Sequence, residues 1–184
     1  MKKILNPETS LAPVPVVMVT CGNMEESNIT TIAWTGVINS EPPMVYVSIR
    51  ESRKSYEIIK ETKEFVINIP DKKLVWETDF CGTKSGKNID KFKETKLTKV
   101  KAQKIDVPLI EECPINLECK VVEVKKLGSH DMFIAEVVAV NCDEEFISEV
   151  TGKIDFKKAN LLTYAGNKYL AQDTEVGERG ICLK

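Results

Sequence analysis

Residues 28–50 read NITTIAWTGVINSEPPMVYVSIR, and this stretch gives the first indication of the fold. β-branched and aromatic side chains fill two short runs, residues 30–39 and 44–50, which are separated by Pro-Pro and other turn-forming residues. Short runs of this composition, bounded by proline and small polar residues, are typical of β-strands. We expect the two runs to be strands that pair as an antiparallel hairpin.

Similar runs continue on both sides of this hairpin. They cover residues 14–21, 65–69, 116–124 and 132–140. The alternation of apolar residues changes phase near Val121 and Val122, which predicts a β-bulge. Residues 132–140 (MFIAEVVAV) are apolar at nearly every position, so we expect the core to cover one face and a helix or a second subunit to cover the other. The last two runs are expected to form one long hairpin.

Helical patterns are few and short. Ser52 is the expected N-cap of a helix over residues 54–62, and residues 73–80 and 88–92 are shorter candidates. Antiparallel strands with scattered short helices favour a closed or half-closed β-barrel. Because no repeat or linker interrupts the sequence, we expect one domain over residues 1–184, with residues 170–184 as a C-terminal arm.

Composition excludes several kinds of site. The 184 residues include 26 Lys and Arg against 28 Asp and Glu, a net charge of −2, and a single histidine, His130. One imidazole cannot form a multi-histidine metal site, and any Ser-His-Asp triad would have to use His130. The six cysteines never form a C-x-x-C pair and no secretory apolar segment begins the chain, so we expect reduced cysteines, no metal centre and a cytoplasmic protein.

The charged residues are unevenly distributed along the chain. Residues 84–104 carry eight lysines against two acidic residues, whereas the remainder is acidic. A basic segment on an acidic protein suits a small phosphorylated ligand better than nucleic acid, which needs a broader basic face. A solvated lysine-rich connection is the alternative. No apolar run is long enough to cross a bilayer, so neither nucleic acid nor membrane is an expected partner.

The segment SIRESRKSYEII, residues 48–59, is the chemically informative one. Two of the three arginines, Arg50 and Arg53, lie where a strand is expected to end and a helix to begin. A helix start offers free backbone N–H groups and the positive end of the helix dipole, and Lys54 and Ser55 add a cation and a hydroxyl. These residues form a candidate phosphate site, with an ordinary basic surface turn as the alternative.

Two further segments add polar groups near this turn. The expected hairpin brings Thr30, Thr31, Trp34 and Thr35 close to it. An indole suits a planar heterocycle attached to a phosphate, although a tryptophan in a barrel strand is also a common core residue. Residues 80–92 (FCGTKSGKNIDKF) form a glycine-rich polar loop suited to closing over a ligand, without P-loop or dinucleotide-binding spacing.

Seven segments in consistent order carry a resemblance to a known family. They are PVPVVMVTCG, NITTIAWTGVINSEPPMVYVSI, RKSYEII, EFVINIP, CGTKSGKNIDKF, CPINLECKV and LGSHDMFIAEVVAV, which extend over nearly the whole chain. Together they resemble the flavin reductase-like, FMN-binding split-barrel family, in particular its flavoredoxin-like branch. The resemblance implies a mainly β, Greek-key split β-barrel with a few short helices, and a homodimer with FMN at the subunit interface.

The same resemblance implies which residues hold FMN. Those matching the phosphate-binding turn and the strand end before it are Ser48, Ile49, Arg53, Lys54, Ser55 and, as a secondary candidate, Arg50. Those matching the strand along the ribityl chain and the ring are Thr30, Thr31, Ala33, Trp34 and Thr35. Those matching a loop over the cofactor are Cys81, Ser85, Gly86 and Lys87.

Three other residues match positions near the flavin. Tyr164 and Tyr169 resemble C-terminal aromatic residues that approach the ring. His130 matches a turn position that approaches the flavin and bound nicotinamide, and it is the candidate catalytic residue, with an ordinary surface histidine as the alternative. No proton-transfer residue is required, because hydride transfer is the work of the cofactor.

The activity implied by the resemblance is electron transfer through FMN. The chain would be a flavin reductase or flavoredoxin-like oxidoreductase that takes electrons from NADH, from NADPH or from a redox partner protein. Two alternatives stay open. One is a non-enzymatic FMN electron carrier without a nicotinamide site, and the other is a flavin-binding module that does not turn over.

Overall fold

Strands make up most of the structure, a computed structural model that describes residues 1–172 and 174–183. The strands in this part of the chain are β1 (Val14–Pro15), β2 (Val17–Gly22), β3 (Ser27–Ile32), β4 (Thr35–Ser40), β5 (Pro43–Ile49), β6 (Glu64–Ile69), β7 (Lys99–Val100), β8 (Leu109–Ile110), β9 (Ile115–Lys126), β10 (Asp131–Cys142), β11 (Leu162–Ala165) and β12 (Lys168–Ala171). The helices are α1 (Lys54–Thr62), α2 (Val75–Thr83), α3 (Lys91–Thr95) and α4 (Phe156–Ala159). The predicted mainly β fold with a few short helices is confirmed.

The order of strands in the main sheet explains why it curls into a barrel. Its seven strands lie in the order β3-β2-β6-β9-β10-β5-β4, with every neighbouring pair antiparallel. β3 and β4 are therefore at opposite edges, yet only Ala33 and Trp34 separate them in the chain. Two residues cannot cross a flat seven-stranded sheet, because adjacent strands are about 4.8 Å apart. The edges must approach each other, and we call residues 33–34 the seam.

Both expected hairpins of the main sheet are present. β4 pairs with β5, with Thr35 opposite Val47. β9 pairs with β10, and the register shifts where Glu123 faces Ile134 and Val121 faces Ala135. Val122 therefore has no partner of its own, which confirms the predicted bulge.

The structure corrects three predicted boundaries. Residues 30–39 are two strands rather than one, because the chain leaves one edge of the sheet at Ile32 and joins the other at Thr35. The N-cap of α1 is Arg53 rather than Ser52. α3 begins at Lys91 rather than at residue 88, because the Asp90 carboxylate accepts a hydrogen bond from the backbone N–H of residue 93.

Short strands outside the main sheet lie beyond what the sequence predicts. β1, β11 and β12 form a three-stranded sheet, and β7 pairs with β8. Strands of two to four residues are too short to show an alternating pattern. β12 includes Leu170 and Ala171, the first two residues of the expected C-terminal arm.

The barrel interior holds the main apolar core. Val19, Val47, Phe65 and Phe133 are fully buried there, and α1 adds Ile59. A second cluster lies under α2 and α3, where residues of β2 and β3 pack against the two helices. Helices therefore cover the outer face of β2 and β3, next to the seam.

A buried polar network lies on the β6–β9 side of the barrel. Asn68, which is fully buried, has its side-chain amide bonded on both atoms. Its nitrogen donates to the carbonyl oxygen of Met18 at 2.9 Å, and its oxygen accepts from the backbone N–H of Ile110 and from Asn116 Nδ2, both at 2.9 Å. Every strong donor and acceptor of this side chain is used within the protein.

Glu118 on β9 is a buried carboxylate whose oxygens also accept hydrogen bonds from within the protein. It accepts from the backbone N–H groups of Gln103 at 3.0 Å and Lys104 at 2.7 Å, and from Asn141 Nδ2 at 2.9 Å. Burial alone would raise the pKa of Glu118, but these hydrogen bonds together lower its pKa below the ordinary value. The carboxylate therefore stays charged and holds residues 103–104 against the sheet.

Two further observations concern membrane-spanning helices and the cysteines. Among the helices of the described residues, none is long and apolar enough to cross a membrane. All six cysteines are free thiols, and four of them are buried.

Candidate functional site

The seam opens into a pocket where β3, β4 and β5 meet the start of α1. Its volume is about 170 Å³. It is lined by Thr30, Thr31, Ile32, Ala33, Trp34, Ser48, Ile49, Arg50, Arg53 and His130. All of these except Ile32 belong to the residues singled out from the sequence. Four separate pieces of the chain thus converge on one cavity.

Arg50 and Arg53 give one side of this pocket a positive charge. Both are exposed, and within residues 1–172 and 174–183 neither guanidinium has a hydrogen-bond or ion-pair partner. Arg53 is also the N-cap of α1, where no side chain caps the free backbone N–H groups of the first turn. Two free guanidinium groups beside an uncapped helix start form an anion-binding arrangement, and the planar guanidinium matches phosphate geometry.

Trp34 and His130 form the aromatic part of the pocket lining. Their ring centroids are 4.3 Å apart with the planes tilted by 46°. Trp34 is 43 % exposed, so it is not a core residue. Burial, reinforced by the charges of Arg50 and Arg53, lowers the pKa of His130 below its ordinary value. The imidazole is therefore neutral near pH 7.

A groove continues from the pocket on the far side of Trp34. It has a volume of about 540 Å³ and shares Ala33 and Trp34 with the pocket. Residues 8–12 form one wall, and Tyr164 with residues 165–167 forms the other. The Tyr164 hydroxyl donates to Asn167 Oδ1 at 2.9 Å, which fixes the ring at this edge. The groove extends the pocket past the indole.

Lys54, Ser55 and the loop over residues 85–87 lie behind the start of α1 rather than in the pocket. Ser55 is fully buried, and its hydroxyl accepts from Asn28 Nδ2 at 2.7 Å. Gly86 packs so closely on Asn28 that a β-carbon at residue 86 would overlap the amide. Lys54, Gly86 and Lys87 line a separate depression of about 290 Å³, and Ser85 lies in the same loop. The loop thus supports the helix start from behind.

Two other candidate residues are buried away from the pocket. Cys81 is fully buried on α2, and burial raises the pKa of its thiol to about 12, so the thiol stays protonated. The Thr35 hydroxyl donates to the carbonyl oxygen of Tyr46 at 2.6 Å, which makes it part of the β4–β5 pairing. Tyr169 does not line either cavity, and its hydroxyl donates to Asp79 Oδ1 at 3.0 Å.

A family model described as "Flavin reductase like domain" matches residues 9–171. This chain belongs to the flavin reductase-like family. An uncharacterized protein of Pyrococcus abyssi is 34 % identical over 135 residues, which is 73 % of this chain and 77 % of that relative.

Solved structures place the chain within the flavoredoxin-like branch of the flavin reductase-like family. The flavoredoxin of Desulfovibrio vulgaris (Miyazaki F) is 30 % identical, with a TM-score of 0.91 and complete coverage of both chains. The flavoredoxin of Methanosarcina acetivorans is 28 % identical, with a TM-score of 0.89 and again complete coverage of both chains. The predicted family and split-barrel fold are thereby confirmed.

The sequence did not single out some residues that shape this flavin reductase-like site. Ile32 lines the pocket beside the seam, and Asn28 links Ser55 to the loop at Gly86. Lys91 is buried and donates to the carbonyl oxygens of Ile29 at 2.7 Å and Cys81 at 2.6 Å, which ties α2 and α3 to β3. Burial lowers the pKa of Lys91 to about 8. Asn28 and Lys91 look like ordinary surface residues in the sequence, because their burial depends on long-range contacts.

Proposed function

We propose that this chain binds FMN across the pocket and the groove and acts as a flavin-dependent oxidoreductase. The observation that carries the proposal is the arrangement at the seam. Arg50 and Arg53, which have no hydrogen-bond or ion-pair partner among the described residues, line one pocket together with the exposed ring of Trp34, beside an uncapped helix start. FMN has the complementary form, a dianionic phosphate at one end and a planar ring at the other. The similarity to two flavoredoxins supports the same ligand.

The phosphate of FMN fits the cationic end of the pocket. Arg53 stands at the start of α1, where backbone N–H groups and the helix dipole also favour an anion. Arg50 adds a second guanidinium, and Ser48 adds a hydroxyl from the end of β5. Such charge-assisted hydrogen bonds are the strongest that a protein offers to a phosphate.

The ring of FMN fits the Trp34 end. A cavity of about 170 Å³ is too small for the whole ligand, because sites for molecules of this size usually measure about 300–1,000 Å³. The groove of about 540 Å³ supplies the missing space and adds Tyr164 as an aromatic wall. Trp34 and Tyr164 would therefore hold the ring.

The residues of the chain bind and orient the cofactor, and bound FMN supplies the redox chemistry at its ring. Arg50 and Arg53 fix the phosphate end, and Trp34 shields one side of the ring from water. The neutral His130 also lines the pocket, where it adds no third positive charge to those of the two arginines. The electrons come from NADH, from NADPH or from a redox partner protein.

Flavin titration followed by anaerobic reduction tests this function. Protein freed of flavin is titrated with FMN while the flavin fluorescence is recorded, and the complex is then mixed with NADH or NADPH without oxygen. We expect saturable binding of one FMN per chain and bleaching of the visible flavin band by a nicotinamide. Absence of binding would refute the cofactor. Binding with bleaching only by a protein reductant would identify the chain as an electron carrier instead.

The proposed active form is a homodimer in which a second copy covers the outer face of β10. The inner residues Phe133 and Ala135 are fully buried, whereas Met132 and Ile134, which alternate with them on the outer face, are half-buried. On the neighbouring strand β5, Tyr46 pairs with Ile134 on the same face and is also half-buried. Apolar side chains in a row on one sheet face are typical of a protein interface.

A matched pair of lysine substitutions tests the homodimer. Ile134→Lys places a charge on the outer face of β10, and Val150→Lys places one at a valine that is 94 % exposed outside the main sheet. We expect the native chain and Val150→Lys to sediment as dimers and Ile134→Lys to sediment as a monomer at micromolar concentration. A monomeric native chain, or a dimeric Ile134→Lys variant, would contradict the proposed interface.

A further inference from the structure

Tyr56 and Asp131 form a buried hydrogen bond beneath the candidate flavin site. Tyr56 is 1 % exposed and Asp131 is 3 % exposed. The Tyr56 hydroxyl donates to Asp131 Oδ2 at 2.6 Å, and its ring meets the edge of Phe133 with a centroid distance of 5.3 Å. Neither residue lines the pocket or the groove. The pair therefore does not belong to the ligand-binding surface itself.

The protonation of Tyr56 is set by its surroundings. The hydrogen bond to Asp131, together with burial and the charge of Glu51, raises the pKa of Tyr56 well above its ordinary value. The phenol therefore remains a donor throughout the physiological range. Glu51 Oε1 lies 3.4 Å from the same hydroxyl, at the outer limit of a hydrogen bond. The short contact to Asp131 is the one that holds the ring in place.

Tyr56 is connected directly to the cationic side of the pocket. It lies in the first turn of α1, and its backbone N–H donates to the carbonyl oxygen of Arg53 at 3.0 Å. Because its hydroxyl is bonded to Asp131 on β10, Tyr56 cannot move along the end of the barrel. The start of α1, and with it Arg53, is therefore fixed relative to β10.

Asp131 is connected to the other two pieces of the site. It follows His130 in the chain as the first residue of β10, and it pairs with Ile49 on β5, the residue before Arg50. One hydrogen bond thus joins the three segments that bring Arg53, Arg50 and His130 to the pocket. Among the described residues, it is the one side-chain hydrogen bond between α1 and β10.

We infer that Tyr56 and Asp131 are positioning residues for phosphate recognition, acting through Arg53 and the neighbouring Arg50 and His130. The inference rests on the proposed binding of FMN. Loss of the hydrogen bond lets the start of α1 move away from the end of β5. The guanidinium groups then no longer converge on one phosphate, because bidentate contacts require accurate placement. The ring end of the site, at Trp34 and Tyr164, is unaffected.

The test compares two ligands that differ only in the phosphate, FMN and riboflavin. Tyr56→Phe removes the donor and keeps the ring. We expect FMN affinity to fall roughly tenfold while riboflavin affinity changes by less than about twofold, so that the preference for the phosphate is largely lost. Thr20→Val is the matched control, because Thr20 is fully buried and donates to the carbonyl oxygen of Pro108 at 2.7 Å, away from both cavities. Its preference should stay native.

A second pair of variants separates positioning from folding. Asp131→Asn keeps an acceptor oxygen for Tyr56 and should retain the preference for FMN, whereas Asp131→Ala should lose it. Because His130 is the single histidine of the chain, its ring signals in NMR spectra are unambiguous. They should shift in Tyr56→Phe and Asp131→Ala, and not in Thr20→Val.

The outcomes distinguish this inference from the proposed function. If the native chain binds FMN and riboflavin equally, the phosphate site itself is wrong. If the native chain prefers FMN and both Tyr56→Phe and Asp131→Ala keep that preference, the positioning role is wrong. The inference also fails if Asp131→Asn loses the preference as fully as Asp131→Ala, or if Thr20→Val loses it as fully as Tyr56→Phe.

Discussion

The buried side chains of Asn68 and Glu118 and the seam pocket place polar groups in opposite situations. The polar atoms of Asn68 and of Glu118 are bonded to two separate sets of partners within the chain. At the seam, Arg50 and Arg53 have no such partner among the described residues, and the helix start beside them is uncapped. Satisfied polar groups stabilise the fold, whereas unsatisfied exposed cations remain available to a ligand. Asn68 and Glu118 therefore stabilise the fold, whereas Arg50 and Arg53 are available to bind a ligand.

Removing the hydrogen bonds of Asn68 should have the largest effect, and the effect should be on stability. Asn68→Ala takes away the acceptor of the Ile110 N–H, one of the two acceptors of Asn116 Nδ2 and a donor to the Met18 carbonyl oxygen. We expect the free energy of unfolding to fall by about 3 kcal/mol, because each unsatisfied buried polar group costs about 1–3 kcal/mol. Denaturant unfolding measures this change.

The preference for FMN over riboflavin should survive in the same variant at a temperature where it is folded. Asn88→Ala, at an exposed residue, is the control and should change stability by less than about 0.5 kcal/mol. A loss of flavin preference in Asn68→Ala would remove the distinction between the two regions.

A smaller effect is expected where the loop supports the helix start. Gly86→Ala forces the Asn28 amide away from Ser55, since a β-carbon at residue 86 overlaps that amide. FMN affinity should fall about fivefold, which corresponds to about 1 kcal/mol. Isothermal titration measures the affinity. Thr83→Ala, at an exposed residue at the end of α2, is the control, and an equal loss in both variants would contradict the supporting role.

The smallest effect concerns the protonation of His130. Its pKa is lowered by burial and by the two arginines, so the unfolded chain binds a proton at a higher pH than the folded chain does. The stability contributed by the neutral ring is therefore complete above the ordinary pKa of 6.5 and decreases as the pH falls from 6.5 through the folded pKa. His130→Asn should lack this dependence.

Ligand binding should move the same pKa upward. The dianionic phosphate of FMN offsets the charges of Arg50 and Arg53, so an NMR titration of the single imidazole should give a higher pKa with FMN than without it. Riboflavin, which lacks the phosphate, should leave the pKa nearly unchanged. An equal shift with both ligands would place the phosphate elsewhere.

Much of the fold could be predicted from the sequence, because it depends on local patterns. The alternation of residues 116–124 and the Pro-Pro turn before Met44 specify hairpins that the structure contains. The break at Ala33 and Trp34 could not be predicted, since tryptophan favours strands and neither residue is a turn-former. It arises because β3 and β4 occupy opposite edges of one sheet.

Part of the candidate site could likewise be predicted from the sequence, and part could not. Arg53 and Trp34 were indicated by residue type at a strand end, and the structure brings both to the seam pocket. Lys54 and Gly86 lie near each other in a different depression, because the helix turns Lys54 away from the pocket. The burial of Tyr56 and Asp131 could not be predicted for another reason. The two residues are 75 positions apart in the chain, and only the closed barrel joins them.

If Arg53 and the start of α1 bind the phosphate of FMN, loss of the Arg53 side chain should weaken FMN binding and spare riboflavin binding. The affinities of FMN and riboflavin are determined for the native chain, for Arg53→Ala and for Arg179→Ala, which removes an exposed arginine outside both cavities. Arg53→Ala should weaken FMN by about 10- to 100-fold, the value of a charged hydrogen bond, with riboflavin binding and the unfolding free energy nearly unchanged. Arg179→Ala should resemble the native chain. If Arg53→Ala and the native chain bind FMN with equal affinity, Arg53 does not bind the phosphate.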